Sequence, residues 1–189
     1  KTARPGAHSI LTAKGVPTMN RKTYIEDDIL SLSEYIPDLD DRDSYDCWLD
    51  PGTQRGYNHR FSETFEEYQK RPSRSRFTAM IVRRADGVPI GSLFVSPENT
   101  PPDLAIMLYE PYRHRGYGPR AFSLGVRYCF EALNLDEVFA GCYPDNAASM
   151  KMLKECGFQP HPEGNQSEKH YLTGADIVQD FSAMATAAS

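Results

Sequence analysis

The chain has 189 residues, of which 40% are hydrophobic and 25% are charged, and its formal net charge at pH 7 is −5. These values predict one globular domain with its own core, and the acidic balance, without a basic stripe interleaved with aromatic residues, argues against a nucleic acid partner. No apolar run approaches the ~18 residues that a membrane-spanning helix needs, so we expect no membrane partner.

The termini and the cysteines bound the domain and its compartment. Residues 1–19 are basic but lack the apolar centre of a signal peptide, so we expect a flexible leader, one domain over residues 20–174 and a tail helix over residues 175–189. The four cysteines have no C-x-x-C spacing and predict free thiols in a cytoplasmic protein without a metal site. They are Cys47, Cys129, Cys142 and Cys156.

The first third of the chain predicts helices. Apolar residues recur with helical spacing from Ile25 to Ile36, and Pro37 would end that helix. Two shorter helices are expected over residues 43–49 and 62–70. Ten acids lie between residues 24 and 50 against the single base Arg42. This charge favours a cationic ligand, although acids on surface helices also serve only to keep a protein soluble.

The middle of the chain changes to strand patterns. Residues 77–83 and 89–96 are rich in β-branched and apolar side chains, and the Asp86-Gly87 pair between them predicts a hairpin turn. A further strand is expected over residues 103–109. Next come a helix over 119–133, a strand over 137–143, a helix to residue 155 and a strand over 169–173. This order predicts an α+β or mixed α/β domain.

A glycine-rich turn lies between the strand ending near Tyr109 and the helix beginning near Pro119. Its glycines, Gly116 and Gly118, permit a tight turn and leave backbone amides uncovered. The positive end of the helix dipole points to the same turn, as suits a diphosphate. Three flanking arginines add charge that can pair with phosphate oxygens, namely Arg113, Arg115 and Arg120.

Three motifs carry a resemblance to a known family. They are Arg113-x-x-Gly116-x-Gly118, Asn146-x-x-Ser149 and Cys156-Gly157-Phe158. Together they resemble the GNAT superfamily of acyl-CoA N-acyltransferases, whose phosphate loop is [QR]-x-x-G-x-[GA], and within it the RimJ/RimL branch. The resemblance implies a central, mostly antiparallel sheet of about six to seven strands flanked by helices, with a splayed strand pair at the cofactor cleft.

The resemblance also implies how acetyl-CoA would be held. The pantetheine arm would lie in the gap between the splayed strands and bond to the backbone there, as an added strand does. Amides of the turn would hold the diphosphate, and Asn146 would bond the pantetheine amides. The residues assigned to the cofactor are Met107, Leu108, Tyr109, Arg113, His114, Arg115, Gly116, Tyr117, Gly118, Arg120, Asn146 and Ser149.

For catalysis, the resemblance implies direct transfer of the acetyl group to a primary amine. Many members place a tyrosine where this chain has Leu153, so the usual proton donor to the leaving thiolate is absent. Ser149 matches the serine that RimJ/RimL-like enzymes are thought to use instead. Asp103 is the first candidate for the general base, and three further residues could line the acceptor side or act as base: Glu110, His170 and Tyr171.

The acceptor is the least constrained part. Tyr57 and His59 could face it, whereas Trp48 is expected to pack. The acid-rich region leans toward a cationic amine, such as a protein N-terminus, a polyamine or an aminoglycoside. The sequence is compatible with a monomer or a homodimer.

Two other functions stay open. Gly116-x-Gly118-x-x-Ala121 also satisfies the dinucleotide pattern of a nicotinamide-dependent oxidoreductase, although that pattern belongs in a parallel unit with an acid about 20 residues on. Leu153 in place of the usual tyrosine leaves room for an acyl-CoA-binding sensor without turnover.

Overall fold

A computed structural model describes residues 21–160 and the backbone of residues 170–173. The predicted leader and tail helix lie outside the described residues. The elements follow in chain order: β1 (Thr23–Glu26), β2 (Leu30–Glu34), α1 (Pro37–Leu49), α2 (Pro51–Tyr57), α3 (Phe65–Gln69), β3 (Phe77–Arg83), β4 (Val88–Val95), β5 (Leu104–Leu108), α4 (Tyr117–Glu131), β6 (Phe139–Cys142), α5 (Ala147–Glu155), β7 (Gln159–Pro160) and β8 (His170–Thr173).

Strands β1 to β5 form one antiparallel sheet in sequence order, and β6, β8 and β7 form a second, three-stranded sheet. Helix α4 packs across the first sheet with Phe122, Val126 and Cys129, which are buried and spaced by four and three residues. The fold is therefore the α+β arrangement that the sequence predicted. The described residues contain eight strands, against the six or seven expected.

The two sheets meet at one point and then diverge. Asp103 forms a single parallel bridge with Phe139, whose N–H donates to the Pro102 carbonyl at 2.8 Å. Beyond the bridge, β5 belongs to the first sheet and β6 to the second, and no further ladder pairing joins them within the described ranges. This confirms the splayed strand pair, and the gap between β5 and β6 is called the splay below.

The helix predicted from Ile25 to Ile36 is wrong. The segment forms the β1–β2 hairpin, and the Asp27 carboxylate accepts from the amides of Ile29 and Leu30 at 2.8 Å each, which fixes the turn. Leu30 and Leu32 are buried on one face of β2, while Ser31 and Ser33 are buried on the other. Leu and Ser therefore alternate strictly from Leu30 to Ser33, which is the period of a strand, and the helical spacing of the apolar residues hid this signal.

The region after the hairpin also differs from expectation. Helix α1 begins at Pro37, six residues before the predicted start, since the Asp40 side chain accepts from the Ile36 amide at 2.7 Å and from Arg21. Residues 51–57, expected as loop, form α2. Asp50 caps that helix by accepting from the Thr53 amide at 2.7 Å, and Pro51 occupies its first position. An Asp-Pro pair was thus the overlooked sequence signal.

Gly91 is required by the close approach of β4 to β5. A Cβ on this residue would overlap the Met107 carbonyl oxygen and lie 2.9 Å from the Leu108 Cα. We expect Gly91→Ala to lower the free energy of unfolding by about 3 kcal/mol, since backbone atoms cannot move aside as side chains do. Urea denaturation measures it. Gly118→Ala is the control, because its Cβ would meet Met152 at an ordinary 3.5 Å. Equal stability of the two variants would contradict this account of the contact.

Candidate functional site

The glycine-rich turn presents an open backbone cradle at one end of the splay. His114 and Gly116 have φ values of 58° and 81°, and Gly116 precedes the first residue of α4 without any side-chain cap. A Cβ built on Gly116 meets no atom of the described residues within 4 Å. The first amides of α4 have no acceptor within the helix, a helix N-terminus favours anions, and the first turn of α4 carries no acid that would repel one.

The three arginines near the turn have different surroundings. Arg115 is exposed and makes no ion pair with the part of the chain that the structure describes. Arg120 instead pairs with Asp27 and Asp28 in the β1–β2 turn, with its Nε 2.6 Å from the Asp27 carboxylate. Much of the Arg120 charge is therefore compensated by the hairpin, and Arg115 is the arginine best placed for a phosphate.

Arg113 turns inward and ties three elements together. Its Nη1 lies 2.7 Å from the Asp50 carboxylate, its Nη2 donates to the Thr53 hydroxyl at 2.7 Å, and its Nε donates to the Leu108 carbonyl at 2.8 Å. The side chains of Arg113 and Asp50 are both 24% exposed. These contacts fix the N-terminus of α2 to the end of β5, and they leave the guanidinium no direction toward the cradle.

The same network shifts two pKa values. Burial alone would raise the pKa of Asp50, but hydrogen bonds from Arg113 and from the Thr53 amide outweigh it and hold that pKa below its usual range. Burial raises the pKa of the neighbouring Cys47 thiol, against the opposing effect of Thr53 and Arg113. The carboxylate is thus charged and the thiol protonated at neutral pH, so Cys47 has the character of a packing group.

The edge of β5 that faces the splay is defined by alternation along the strand. The Tyr109 amide donates to the Ile90 carbonyl at 2.9 Å, and Met107 pairs with Ser92, so both residues direct their backbone groups to β4. The carbonyls of Ile106 and Leu108 point away from β4, where they accept from Tyr57 and Arg113. Of the three predicted strand contacts, Leu108 is the one whose N–H faces the splay.

The other side of the splay is formed by the start of α5. The Asn146 side chain caps α5 by accepting from the Ser149 amide at 3.1 Å, and its Nδ2 donates to the Gly56 carbonyl at 3.3 Å. Ser149 is half-buried, and its hydroxyl has no hydrogen-bond partner among the described residues. Leu153 is 2% exposed and belongs to the core, so its side chain does not line the cleft.

The remaining candidates are spread along both sheets. Asp103 is half-buried at the closed end of the splay, where its backbone bonds to Ser96. Glu110 is exposed and begins a short 3₁₀ turn away from the strand pairing. The backbones of His170 and Tyr171 lie in β8 opposite Cys142 and Gly141. Asp103 is therefore the acid that the structure brings to the splay.

An aromatic cluster stands over the splay on the side of α1 and α2. Trp48 lies with its ring centre 5.2 Å from that of Tyr57 and 5.8 Å from those of His59 and Phe61. The Tyr57 hydroxyl donates to the Ile106 carbonyl at 2.7 Å, and burial is the largest effect that raises the pKa of this phenol. The phenol is therefore neutral at physiological pH.

Two kinds of structural feature are absent from the described residues. No helix there combines the length and the apolar character needed to cross a membrane. No group of three or more His, Cys, Asp or Glu side chains is arranged to hold a metal ion in the same part of the chain.

The chain matches a known family model. Residues 25–159 match the family model described as an acetyltransferase (GNAT) domain. No curated protein sequence matches the chain significantly.

Solved structures share the fold at low identity. A spermidine N-acetyltransferase from Vibrio cholerae, in complex with CoA and spermine, superposes with a TM-score of 0.70 at 14% identity over 79% of this chain and 98% of that one. An acetyltransferase from Agrobacterium tumefaciens gives 0.67 at 19% identity over 89% and 99%. A ribosomal-protein-S5-alanine acetyltransferase from Vibrio fischeri gives 0.61 at 17% identity over 79% and 94%.

Proposed function

The chain belongs to the GNAT acetyltransferase family, and from this membership we propose that it transfers an acetyl group from acetyl-CoA directly to a primary amine. The observation that carries the proposal is the uncapped cradle at Gly116, which opens next to the splay between β5 and β6. Acetyl-CoA supplies an activated thioester when it is bound. Every other requirement falls on residues of this chain.

The cradle and the edge of β5 divide the binding. Amides of the turn, from His114 to Gly118, hold the diphosphate. Arg115 adds a positive charge, and because its side chain is exposed, dissolved salt weakens its attraction to the phosphates. The Leu108 N–H polarises the acetyl carbonyl oxygen from the free edge of β5. Asn146 binds the pantetheine arm of acetyl-CoA from the opposite side of the splay through its Nδ2, the atom that donates to the Gly56 carbonyl in this structure.

Ser149 and Asp103 handle the protons. The Ser149 hydroxyl has no partner among the described residues, lies one helical turn past Asn146 and is free to donate to the leaving sulfur. Asp103, at the closed end of the splay, accepts the amine proton directly or through water. Leu153 in the core cannot supply the proton that a tyrosine gives in many relatives.

The acceptor is a cationic amine in this proposal. Helix α1 carries five aspartates in thirteen residues, and burial, followed by the neighbouring Asp46 and Asp40, raises the pKa of Asp43. Such a field attracts an ammonium group. A polyamine, a protein N-terminus and an aminoglycoside all fit. We propose that the reaction takes place in the cytoplasm, because the four cysteines are free thiols. We propose that the enzyme is a monomer or a homodimer.

The test is CoA thiol release from acetyl-CoA in the presence of a panel of amines, paired with calorimetric titration of acetyl-CoA. Release that depends on one class of amine supports the transferase. Tight binding without turnover over a broad panel would instead indicate a sensor. Absence of binding would contradict the whole assignment.

Removal of the Ser149 hydroxyl should separate turnover from binding. We expect Ser149→Ala to lower kcat by about 100-fold, at the low end for loss of a general acid, while acetyl-CoA affinity changes less than twofold. The matched control is Ser123→Ala in α4, whose hydroxyl contacts the Cys156 sulfur at 3.5 Å, away from the splay. A kcat of Ser149→Ala equal to wild type would remove this residue from the mechanism.

A further inference from the structure

The end of α2 closes the splay beyond the point where the thioester is proposed to lie. The Tyr57 hydroxyl bonds to the Ile106 carbonyl on β5, and the adjacent Gly56 carbonyl accepts from Asn146 at the start of α5. One short helix thus contacts both walls of the gap. None of the sequence motifs predicted this bridge.

The Tyr57 ring is held firmly in this position. Trp48 packs against it with ring centres 5.2 Å apart, and Phe61 stacks on Trp48 at an interplanar angle of 21°. The start of α2 is fixed independently by the bond between the Thr53 hydroxyl and Arg113. The Tyr57 ring is therefore held by Trp48, by the hydrogen bond of its hydroxyl and by the fixed position of α2. A ring held in these three ways resists displacement by a ligand.

The location of Tyr57 along β5 decides what it would exclude. The cradle follows the C-terminal end of β5, so an extended arm reaches Leu108 before it reaches Ile106. These residues are two apart in the strand, which corresponds to about 6.6 Å. With the acetyl carbonyl at the Leu108 N–H, as the proposed function has it, any longer acyl chain continues toward the Tyr57 ring.

We propose that Tyr57 sets the acyl-chain length that the enzyme accepts, admitting the acetyl group and excluding chains as long as hexanoyl. This inference rests on the proposed function, because it needs acyl-CoA in the splay. It adds a specificity-determining residue outside the cofactor loop and the Asn146-x-x-Ser149 motif. The donor is thereby restricted to short acyl thioesters, whatever the acceptor amine.

The test measures affinity, which does not depend on turnover. Calorimetry with CoA, acetyl-CoA, butyryl-CoA and hexanoyl-CoA would be carried out on wild type, Tyr57→Ala and Tyr57→Phe. Wild type should bind hexanoyl-CoA at least tenfold more weakly than acetyl-CoA. Tyr57→Ala should lose this discrimination, and Tyr57→Phe should keep it because the ring remains. CoA should bind all three proteins alike. Tyr57→Leu replaces the alanine variant if the latter does not fold.

Three results would overturn the inference. One is a wild-type protein that binds hexanoyl-CoA as tightly as acetyl-CoA. Another is a smaller residue at position 57 that leaves the length profile unchanged. The third is tighter binding of CoA itself by Tyr57→Ala, which would place the ring in the path of the arm. Failure of CoA and of every acyl-CoA to bind wild type would contradict the proposed function instead, so the two failures are distinguishable.

Discussion

Gly116→Val should reduce acetyl-CoA affinity by at least about 100-fold and leave the fold in place. The valine Cβ would project into the free space of the cradle, since no atom of the described residues lies within 4 Å of it. Its methyl groups would cover the amides that we propose hold the diphosphate. The loss of one hydrogen bond to a charged group costs about 1.5–3 kcal/mol, so the loss of two such bonds costs at least about 3 kcal/mol, which is more than 100-fold in affinity.

The control for this variant separates backbone strain from the loss of the site. Gly116 has φ 81°, and a β-branched residue there costs about 1–2 kcal/mol of stability. Gly87, in the β3–β4 turn, has φ 70° and equally open space around its Cβ. Gly87→Val should therefore show a similar loss in urea denaturation with unchanged acetyl-CoA affinity. Wild-type affinity of Gly116→Val in calorimetry would refute the cradle.

Arg113→Gln should destabilise the protein by about 2 kcal/mol and raise the KM for the acceptor amine more than the KM for acetyl-CoA. The partly exposed Arg113–Asp50 pair lies between a surface pair, worth less than about 1 kcal/mol, and a buried one, whose breakage costs about 3–5 kcal/mol. Its loss frees α2, whose far end contacts the splay through Tyr57 and Gly56, away from the cradle that is proposed to hold acetyl-CoA. Urea denaturation and steady-state kinetics measure the two effects.

Arg115→Gln is the matched control at the same turn. Because Arg115 is exposed and has no ion pair among residues 21–160, its loss should weaken acetyl-CoA binding severalfold at low salt, less at high salt, and leave stability unchanged. The reverse pattern would contradict the two assignments. In that case Arg113→Gln would change only the affinity for acetyl-CoA, and Arg115→Gln would change only the stability.

The Arg113–Asp50 pair also has a pH signature. The pKa of Asp50 is lowered in the folded protein, so the pair contributes stability above the unfolded value near 3.9 and loses it as the pH falls through the folded pKa. The stability difference between wild type and Arg113→Gln should be constant from pH 5 to 7 and shrink below about pH 4. A constant difference down to pH 3 would show that the carboxylate does not titrate with the pair.

Local patterns accounted for much of this protein. The strand–turn–helix unit around Gly116, the β3–β4 hairpin and the cap at Asn146 each depend on residues within a few positions of one another, and the structure contains all three. The family motif followed from the same local units. The β1–β2 hairpin was missed because four apolar residues matched a helical period by chance, although Leu and Ser alternate from Leu30 to Ser33 as in the strand that pairs with β1 and β3.

The sequence by itself therefore determined the family, the fold class and the position of the cradle. Only the tertiary structure decided which side chains serve it. Arg113 binds Asp50 across 63 residues of chain, Arg120 binds Asp27 across 93, and Tyr57 reaches Ile106 across 49. The spacing of residues along the sequence does not predict contacts between residues so far apart. They exist because the core brings α2, the hairpin turn and β5 together, and charge and shape then select the partners.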